Sequence, residues 1–311
     1  MKKFFKYLLR TVLIIFLLLN IVVAFHAYKF THFYNNGELG LHKSNKSKPS
    51  IKELLFGFNA EKQKNAAPDS GYQTVILKTK DGIKLEGWYI PVDSAKGTVC
   101  LFHGHGGTKT GINAPAEAFR KMGYNTFQLD FRAHGSSGGN TCTIGYEESE
   151  DVKLAYDFVK NQGEKNIILW GVSLGAATIT KAMADYQSIQ PNKVILEMPF
   201  GTIEDAVKGR MRMMGVPAQP ISTLLTFWGG AEHGFWAFNM QPVEYAKQIN
   251  CPVLLQWGKN DTRVSKEEED ELFANLASPD KKFVVYEECG HENICIKENT
   301  KWLTEIKAFL Q

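Results

Sequence analysis

The sequence predicts an α/β domain built on a mostly parallel sheet with helices on both faces, entered through a β-hairpin and preceded by one apolar helix. Two observations carry the sheet. Apolar runs without polar alternation recur from residue 98 onward, and nearly every one is followed by a segment with helical periodicity. Such strands are buried on both faces, as in a parallel sheet covered by its crossover helices. The apolar helix rests on a third observation, an uncharged run near the N-terminus.

Taken in order, "YQTVILKT" and "IKLEGWYIPV" flank the turn signal "KDG" and predict the hairpin. "GTVCLFHG" is a continuous apolar strand, followed by a helix from Asn113 to Met122. "YNTFQLDF" is the next strand. The helix from Glu147 to Lys160 follows, with Val152, Ala155, Tyr156 and Val159 at helical spacing. "NIILWGV" and "AATITKAMADYQ" form the next strand–helix pair, and "NKVILEMPF" is a further strand. The rhythm then breaks for about forty residues. It resumes with "PVEYAKQI", "CPVLLQWG", "KEEEDELFANLA", "KKFVVYEE" and a closing helix through "WLTEIKAFL". This organises the chain as a membrane segment over residues 1–28, a polar connector over 29–70 and a main domain over 71–311. The insertion in that domain lies at about 201–242. Within the connector, only "IKELLFGF" has the apolar content to dock as a short helix.

The 311 residues are 44% hydrophobic and 22% charged, a globular composition with enough apolar content for a sizeable core. The net charge of +3 conceals an asymmetry: residues 1–65 hold eleven Lys/Arg and three Asp/Glu, and the remainder is mildly acidic. A nucleic-acid binder carries its basic patch on the folded domain, so nucleic acid is not an expected partner. The five cysteines, Cys100, Cys142, Cys251, Cys289 and Cys295, show no metal-type spacing. Cys100 and Cys251 lie in or beside apolar strands as small buried hydrophobes. In an exported domain, Cys142, Cys289 and Cys295 offer one disulfide.

At the N-terminus Lys2, Lys3, Lys6 and Arg10 precede eighteen residues, Thr11 to Tyr28, without Lys, Arg, Asp or Glu. At ~1.5 Å rise per residue that run approaches the ~30 Å hydrocarbon thickness of a bilayer. The expected element is an uncleaved single-pass anchor. A secretory signal peptide cut after Ala24, with Val22 and Ala24 as the small residues, is the second reading. In both, the basic cluster stays cytoplasmic and the body is translocated.

In a parallel sheet, ligands bind at the carboxyl ends of the strands, so reactive residues belong just after strands. "GVSLG" puts Ser173 there, between strand "IILWG" and a helix, with Gly171 and Gly175 where a tight turn demands them. The helix start aims N–H groups at the serine. A serine nucleophile needs a base, and the base an orienting carboxylate. Downstream, "VLLQWGKNDTRV" places Asp261 beyond a strand, a better position than Glu197 or Asp280. "FVVYEECGHENI" places His291 beyond the last strand, whereas His233 falls in the irregular insertion. Oxyanion donors are expected from the backbone N–H of Leu174 and of His105 in "LFHGHGGTKTG". His103 and His105 as a metal pair lack a third ligand at suitable spacing, so no metal and no cofactor is expected.

Together "FHGHGG", "DFRAHGSSGG", "GVSLGAA", "EMPF", "GKNDTRV" and "CGHE" resemble the α/β-hydrolase superfamily, particularly its membrane-anchored, lipase-like serine hydrolases. The resemblance covers residues 72–311 in order. It implies an α/β-hydrolase fold, a Ser173–Asp261–His291 triad and oxyanion donors at His105 and Leu174. A histidine inside "HGHGG" and cysteines flanking His291 depart from the pattern, and a Cys289–Cys295 bridge would stiffen the histidine loop. The Met-, Phe- and Trp-rich insertion reads as a cap over the site, as a cap that only stabilises the body, or as a membrane-docking surface through Trp228, Phe235, Trp236 and Phe238. The expected activity is hydrolysis of a small-molecule carboxylic ester or thioester; the sequence leaves the acyl group open, with lipid-like substrates among those it could take. An aminopeptidase or dipeptidyl-peptidase activity is the alternative, with Glu147, Glu148 or Glu197 holding a substrate amine. A non-catalytic membrane-tethered binding protein is a third reading. Serine rather than aspartate at the nucleophile position excludes a dehalogenase.

Overall fold

The computed structural model describes residues 1–35, 55–68 and 71–311. The chain starts with helix α1 (Lys2–Thr31), whose apolar residues give it the length and composition to cross a membrane. Residues 1–18 are exposed, but Val23, Ala27 and Thr31, one face at i, i+4 spacing, are buried against the body. The two-residue strands β1 (Phe33–Tyr34) and β2 (Ala60–Glu61) then pair in parallel.

The hairpin follows as β3 (Gln73–Lys78) and β4 (Lys84–Ile90), antiparallel with Lys78 opposite Lys84. Its turn is closed by the Thr79 hydroxyl, which donates to Asp81 Oδ1 (2.5 Å) and accepts from the Ile83 amide (2.9 Å). The alternating elements come next: β5 (Thr98–Phe102), α2 (Asn113–Lys121), β6 (Asn125–Leu129), α3 (Glu148–Asn161), β7 (Ile167–Val172), α4 (Leu174–Asp185) and β8 (Lys193–Glu197). After α5 (Ile203–Met214) and α6 (Ile221–Glu232) come the one-turn α7 (Pro242–Tyr245), β9 (Val253–Gly258), α8 (Lys266–Asn275), β10 (Lys281–Tyr286), α9 (Ile294–Lys297) and α10 (Asn299–Leu310).

The main sheet runs β10–β9–β8–β7–β5–β6–β4–β3. Neighbours from β10 to β6 are parallel, and β4 pairs antiparallel with both β6 and β3. Every side chain of β5, β6 and β9 is buried, as continuous apolar runs require when helices cover both faces. The fold class read from the sequence is the one observed. Helix ends follow local chemistry: Ser265 and Glu268 form a reciprocal capping box on α8, and Gly215 ends α5 in the left-handed region (φ 68°).

Residues 29–68, where described, are tied to the body. Asn65 Nδ2 donates to Asp130 Oδ2 (2.6 Å), Lys62 Nζ donates to the Ser137 carbonyl (2.9 Å), and the Ala66 amide donates to Thr110. Polar composition concealed this docking: Lys62, Asn65 and Ala66 are held by hydrogen bonds, while Phe30, Phe33 and Ala60 pack on the core. Of "IKELLFGF", residues 51–54 lie outside the described residues. All five cysteines are free thiols, so the disulfide considered among Cys142, Cys289 and Cys295 is absent. The three side chains are buried separately as small hydrophobes.

Candidate functional site

Ser173 sits between β7 and α4 with φ 52° and ψ −113°, a conformation unusual for any residue with a side chain. The turn is held by the Ser173 amide, which donates to the Glu197 carbonyl (2.7 Å). It is compressed to the point where only glycine fits beside it. A Cβ on Gly171 would lie 2.5 Å from the Gly175 carbonyl carbon, and one on Gly175 would lie 2.2 Å from the Phe102 carbonyl oxygen. The backbone therefore pushes the serine side chain outward at the strand end.

Asp261 follows β9 and His291 follows β10, and the structure brings both to Ser173. The His291 Nδ1–H donates to Asp261 Oδ2 (2.7 Å), and the Ser173 hydroxyl lies 3.0 Å from His291 Nε2. The buried Asp261 carboxylate accepts two more hydrogen bonds at Oδ1, from the amides of Arg263 (2.7 Å) and Val264 (3.0 Å). An acceptor-only carboxylate at Nδ1 fixes the tautomer that presents a lone pair at Nε2 to the serine.

The His291 loop owes its rigidity to hydrogen bonds, where the sequence had suggested a Cys289–Cys295 bridge. The Glu298 side chain accepts from the amides of Glu288 (2.9 Å) and Cys289 (3.1 Å), and the Asn260 amide donates to the Cys289 carbonyl (2.9 Å). Gly258 permits this approach, since a Cβ there would lie 2.5 Å from the Cys289 carbonyl oxygen.

The loop after β5 carries His105. Its neighbour Gly106 donates its amide to His134 Nε2 (3.0 Å), and His134 Nδ1 in turn donates to the Arg132 carbonyl (2.8 Å). His103 is engaged at both ring nitrogens, donating to the Gly104 carbonyl and accepting from the Phe131 amide. Among the described residues, neither the His105 nor the Leu174 amide donates to a protein acceptor outside the helix and strand ladders. Leu174 is the first residue of α4, where a helix amide has no intrahelical partner. Both residues line the same cavity as Ser173.

That cavity, about 190 Å³, is also bounded by Gly104, Met198, Phe200, His291 and Glu292. Three of its walls were not anticipated from the sequence. Phe30 reaches it from α1, Arg210 from α5 and Arg263 from the loop that holds Asp261. The His105 ring stacks on Phe30 (centroids 4.6 Å apart), and its Nε2 donates to the Phe30 carbonyl (3.3 Å). Burial, reinforced by Arg210, lowers the His105 pKa to about 4, so its imidazole is neutral. The Arg210 pKa is lowered too, by burial and by the like charge of Arg263. "FHGHGG" and "DFRAHG" carried the signal for the histidine network. Nothing local marked Phe30, Arg210 or Arg263.

The acids considered as holders of a substrate amine are occupied elsewhere. Glu148 accepts from the Thr143 amide and hydroxyl and from the Gly145 amide, and Glu147 pairs with Arg132 (3.1 Å). Glu197 Oε1 accepts from the indoles of Trp170 (3.0 Å) and Trp302 (2.7 Å).

Comparison with known proteins agrees with this architecture. The family described as serine aminopeptidase, S33, matches residues 93–230 and 233–297. YqkD of Bacillus subtilis (strain 168), an uncharacterized protein, is 23% identical over 240 residues, covering 76% of this chain and 78% of its own. Protein bem46 of Schizosaccharomyces pombe is 24% identical, covering 72% of each chain. An uncharacterized membrane protein of Saccharomyces cerevisiae is 26% identical over 145 residues, 45% of this chain and 51% of its own. An esterase from Pyrococcus furiosus superposes with a TM-score of 0.67 at 23% identity, covering 80% of this chain and 96% of its own.

Proposed function

We propose that this chain, which belongs to the serine aminopeptidase S33 family of α/β hydrolases, cleaves a carboxylic ester or thioester through an acyl-enzyme on Ser173. The observation that carries this reading is the continuous hydrogen-bonded series Ser173–His291–Asp261 at three strand ends, opening on a cavity. The Ser173 oxygen attacks the acyl carbon while its proton passes to His291 Nε2. The developing oxyanion is held by the Leu174 and His105 amides. As the intermediate collapses, the bond to the leaving alcohol or thiol breaks, and that group takes the proton from His291. Water then attacks the acyl-enzyme with His291 again as base. This releases the acid and restores the serine. Asp261 stabilises the imidazolium formed in each half.

Ester rather than peptide hydrolysis is favoured by the charges facing the cavity. They are Arg210, Arg263 and Glu292, two cations against one anion, a poor setting for a protonated substrate amine. The Pyrococcus furiosus neighbour is an esterase, and the family description names an aminopeptidase. The helix α1 serves as the membrane anchor, with Lys2, Lys3, Lys6 and Arg10 on the cytoplasmic side and the hydrolase domain on the other. The segment with α5 and α6 serves as the cap.

A fluorophosphonate probe tests the nucleophile. The intact protein is expected to be labelled at Ser173 and a Ser173→Ala variant to remain unlabelled. Equal labelling of the two would overturn the assignment. Matched p-nitrophenyl esters and p-nitroanilides then decide the bond type, with kcat/KM expected to be higher for the esters.

A further inference from the structure

A second cavity, about 230 Å³, lies beside the first, between α1, α5 and α6. Its lining is overwhelmingly apolar and includes Ala27 of α1, Val207 and Met214 of α5, and Leu225 and Gly229 of α6. Phe30, His105, Ile144 and Arg210 line both cavities, so the two adjoin across those side chains and the apolar space leads toward Ser173.

The position of α1 gives this space an unusual wall. The face of α1 that carries Ala27 and Thr31 is packed into the body, and the helix is fixed by one hydrogen bond to α6 and one to the residue that caps it. Trp228 Nε1 donates to Asn20 Oδ1 (3.0 Å), and His233 Nε2 lies 2.9 Å from the Thr31 hydroxyl. The outer end of the cavity is marked by Phe58 and Met214, which line it yet are 53% and 55% exposed. Phe25 and Phe56, in contact with each other, and Phe227 and Trp236, in contact with each other, are also exposed, and Val12 to Leu18 of α1 all present apolar side chains outward. Apolar and aromatic side chains flanking a spanning helix sit at the membrane interface. His26 and Lys29 line the cavity where α1 leaves its apolar run.

We propose that this cavity holds the acyl chain of a bilayer lipid ester, with the anchor helix as one wall, so that substrate passes laterally from the membrane to Ser173. The inference rests on acylation of Ser173 as described above and adds the substrate class and its route. An acyl chain gains free energy with every methylene moved from water into such a space. Leaving a bilayer for it instead is close to neutral, and a side entrance at the interface keeps the chain out of water throughout.

The test uses the full chain reconstituted in phosphatidylcholine vesicles, with ethyl and hexadecyl fluorophosphonates as probes. A hexadecyl probe with a terminal diazirine, reacted at Ser173 and irradiated, is expected to cross-link within residues 26–31 or within α5 and α6. Cross-links confined to other parts of the body would overturn the proposal. In Gly229→Phe, whose new Cβ would meet nothing within 4 Å, the hexadecyl probe is expected to react about tenfold more slowly. The ethyl probe reports that the variant is folded. An equal effect on both probes would count against the cavity. Hexadecyl probe in the protein's own vesicles is expected to react about tenfold faster than probe supplied in separate vesicles, and equal rates would remove lateral entry. If the ethyl probe fails to label the wild type, the serine hydrolase reading itself fails. Labelling by the ethyl probe and not by the hexadecyl probe overturns the acyl cavity alone.

Discussion

In the proposed mechanism Asp261 acts only through His291, and its three hydrogen bonds define what replacing it would do. An asparagine keeps one acceptor oxygen, but its NH₂ group can face Nδ1 and stabilise the tautomer with the proton on Nε2, the wrong nitrogen for deprotonating Ser173. Asp261→Asn is therefore expected to lower kcat by roughly 10³–10⁴-fold with little effect on KM, measured on a short p-nitrophenyl ester. A loss below tenfold would show that the carboxylate is not the orienting group. Gly171 makes a different demand. Its Cβ position is occupied by the backbone at Gly175, so Gly171→Ala is expected to destabilise the fold by about 1–3 kcal/mol, seen as a lower urea midpoint. These three side chains and two glycines were legible in the sequence because strand-end positions and a tight turn leave few residue choices. The walls Phe30, Arg210 and Arg263 were not, since their approach to Ser173 depends on how separate helices and a loop pack.

The pairing of α1 with α6 is the element contact that most changes the reading of the sequence. An uncharged run of eighteen residues marks a helix long and apolar enough to cross a membrane, by hydropathy alone. Hydropathy assigns the same value to a lipid-facing and a protein-facing leucine, so it gives no hint that Val23, Ala27 and Thr31 turn inward. Asn20 is one of the few polar side chains in that run, beside Thr11 and His26, and its partner lies 208 residues away in α6. Within an apolar contact, an amide oxygen without a donor is costly, so the Asn20–Trp228 bond contributes to holding the helices together. Trp228→Phe keeps an aromatic ring and removes the donor. It is expected to cost about 1 kcal/mol, measured as a lowered unfolding midpoint of the full chain in detergent. Adding Asn20→Leu to that variant is expected to recover most of the loss. If the double variant falls as far as the sum of the two single ones, the bond has no role in the pairing.

Glu197 links the halves of the molecule. It ends β8, its carbonyl fixes the Ser173 amide, and its side chain receives Trp170 from β7, Gln256 from β9 (3.2 Å) and Trp302 from α10. Tyr286 of β10 joins the cluster through Gln256. The sequence offered this residue as a rival to Asp261 or as an amine holder, because its position after a strand does not reveal which way a side chain is committed. Burial raises the Glu197 pKa to about 7, against the opposing effect of the indole donors. The folded state therefore keeps a proton between about pH 4.5 and 7 that the unfolded chain has released. A raised carboxyl pKa means stability is full below the ordinary value, declines across that window, and levels off above pH 7. A shift from 4.5 to about 7 corresponds to a decline on the order of 3 kcal/mol from this group. Asp151, also raised to about 7 by burial, adds a decline of the same sign. Glu197→Gln resembles the protonated acid and keeps an oxygen for the two indoles. It is expected to match the wild type near pH 5 and to exceed it in stability above pH 7, with the Asp151 share unchanged. Urea unfolding of both proteins at pH 5 and pH 8 measures this. A stability difference that stays constant between the two pH values would mean that Glu197 is ionised in the folded protein, and that its cluster is an ionic one rather than a neutral hydrogen-bonded one.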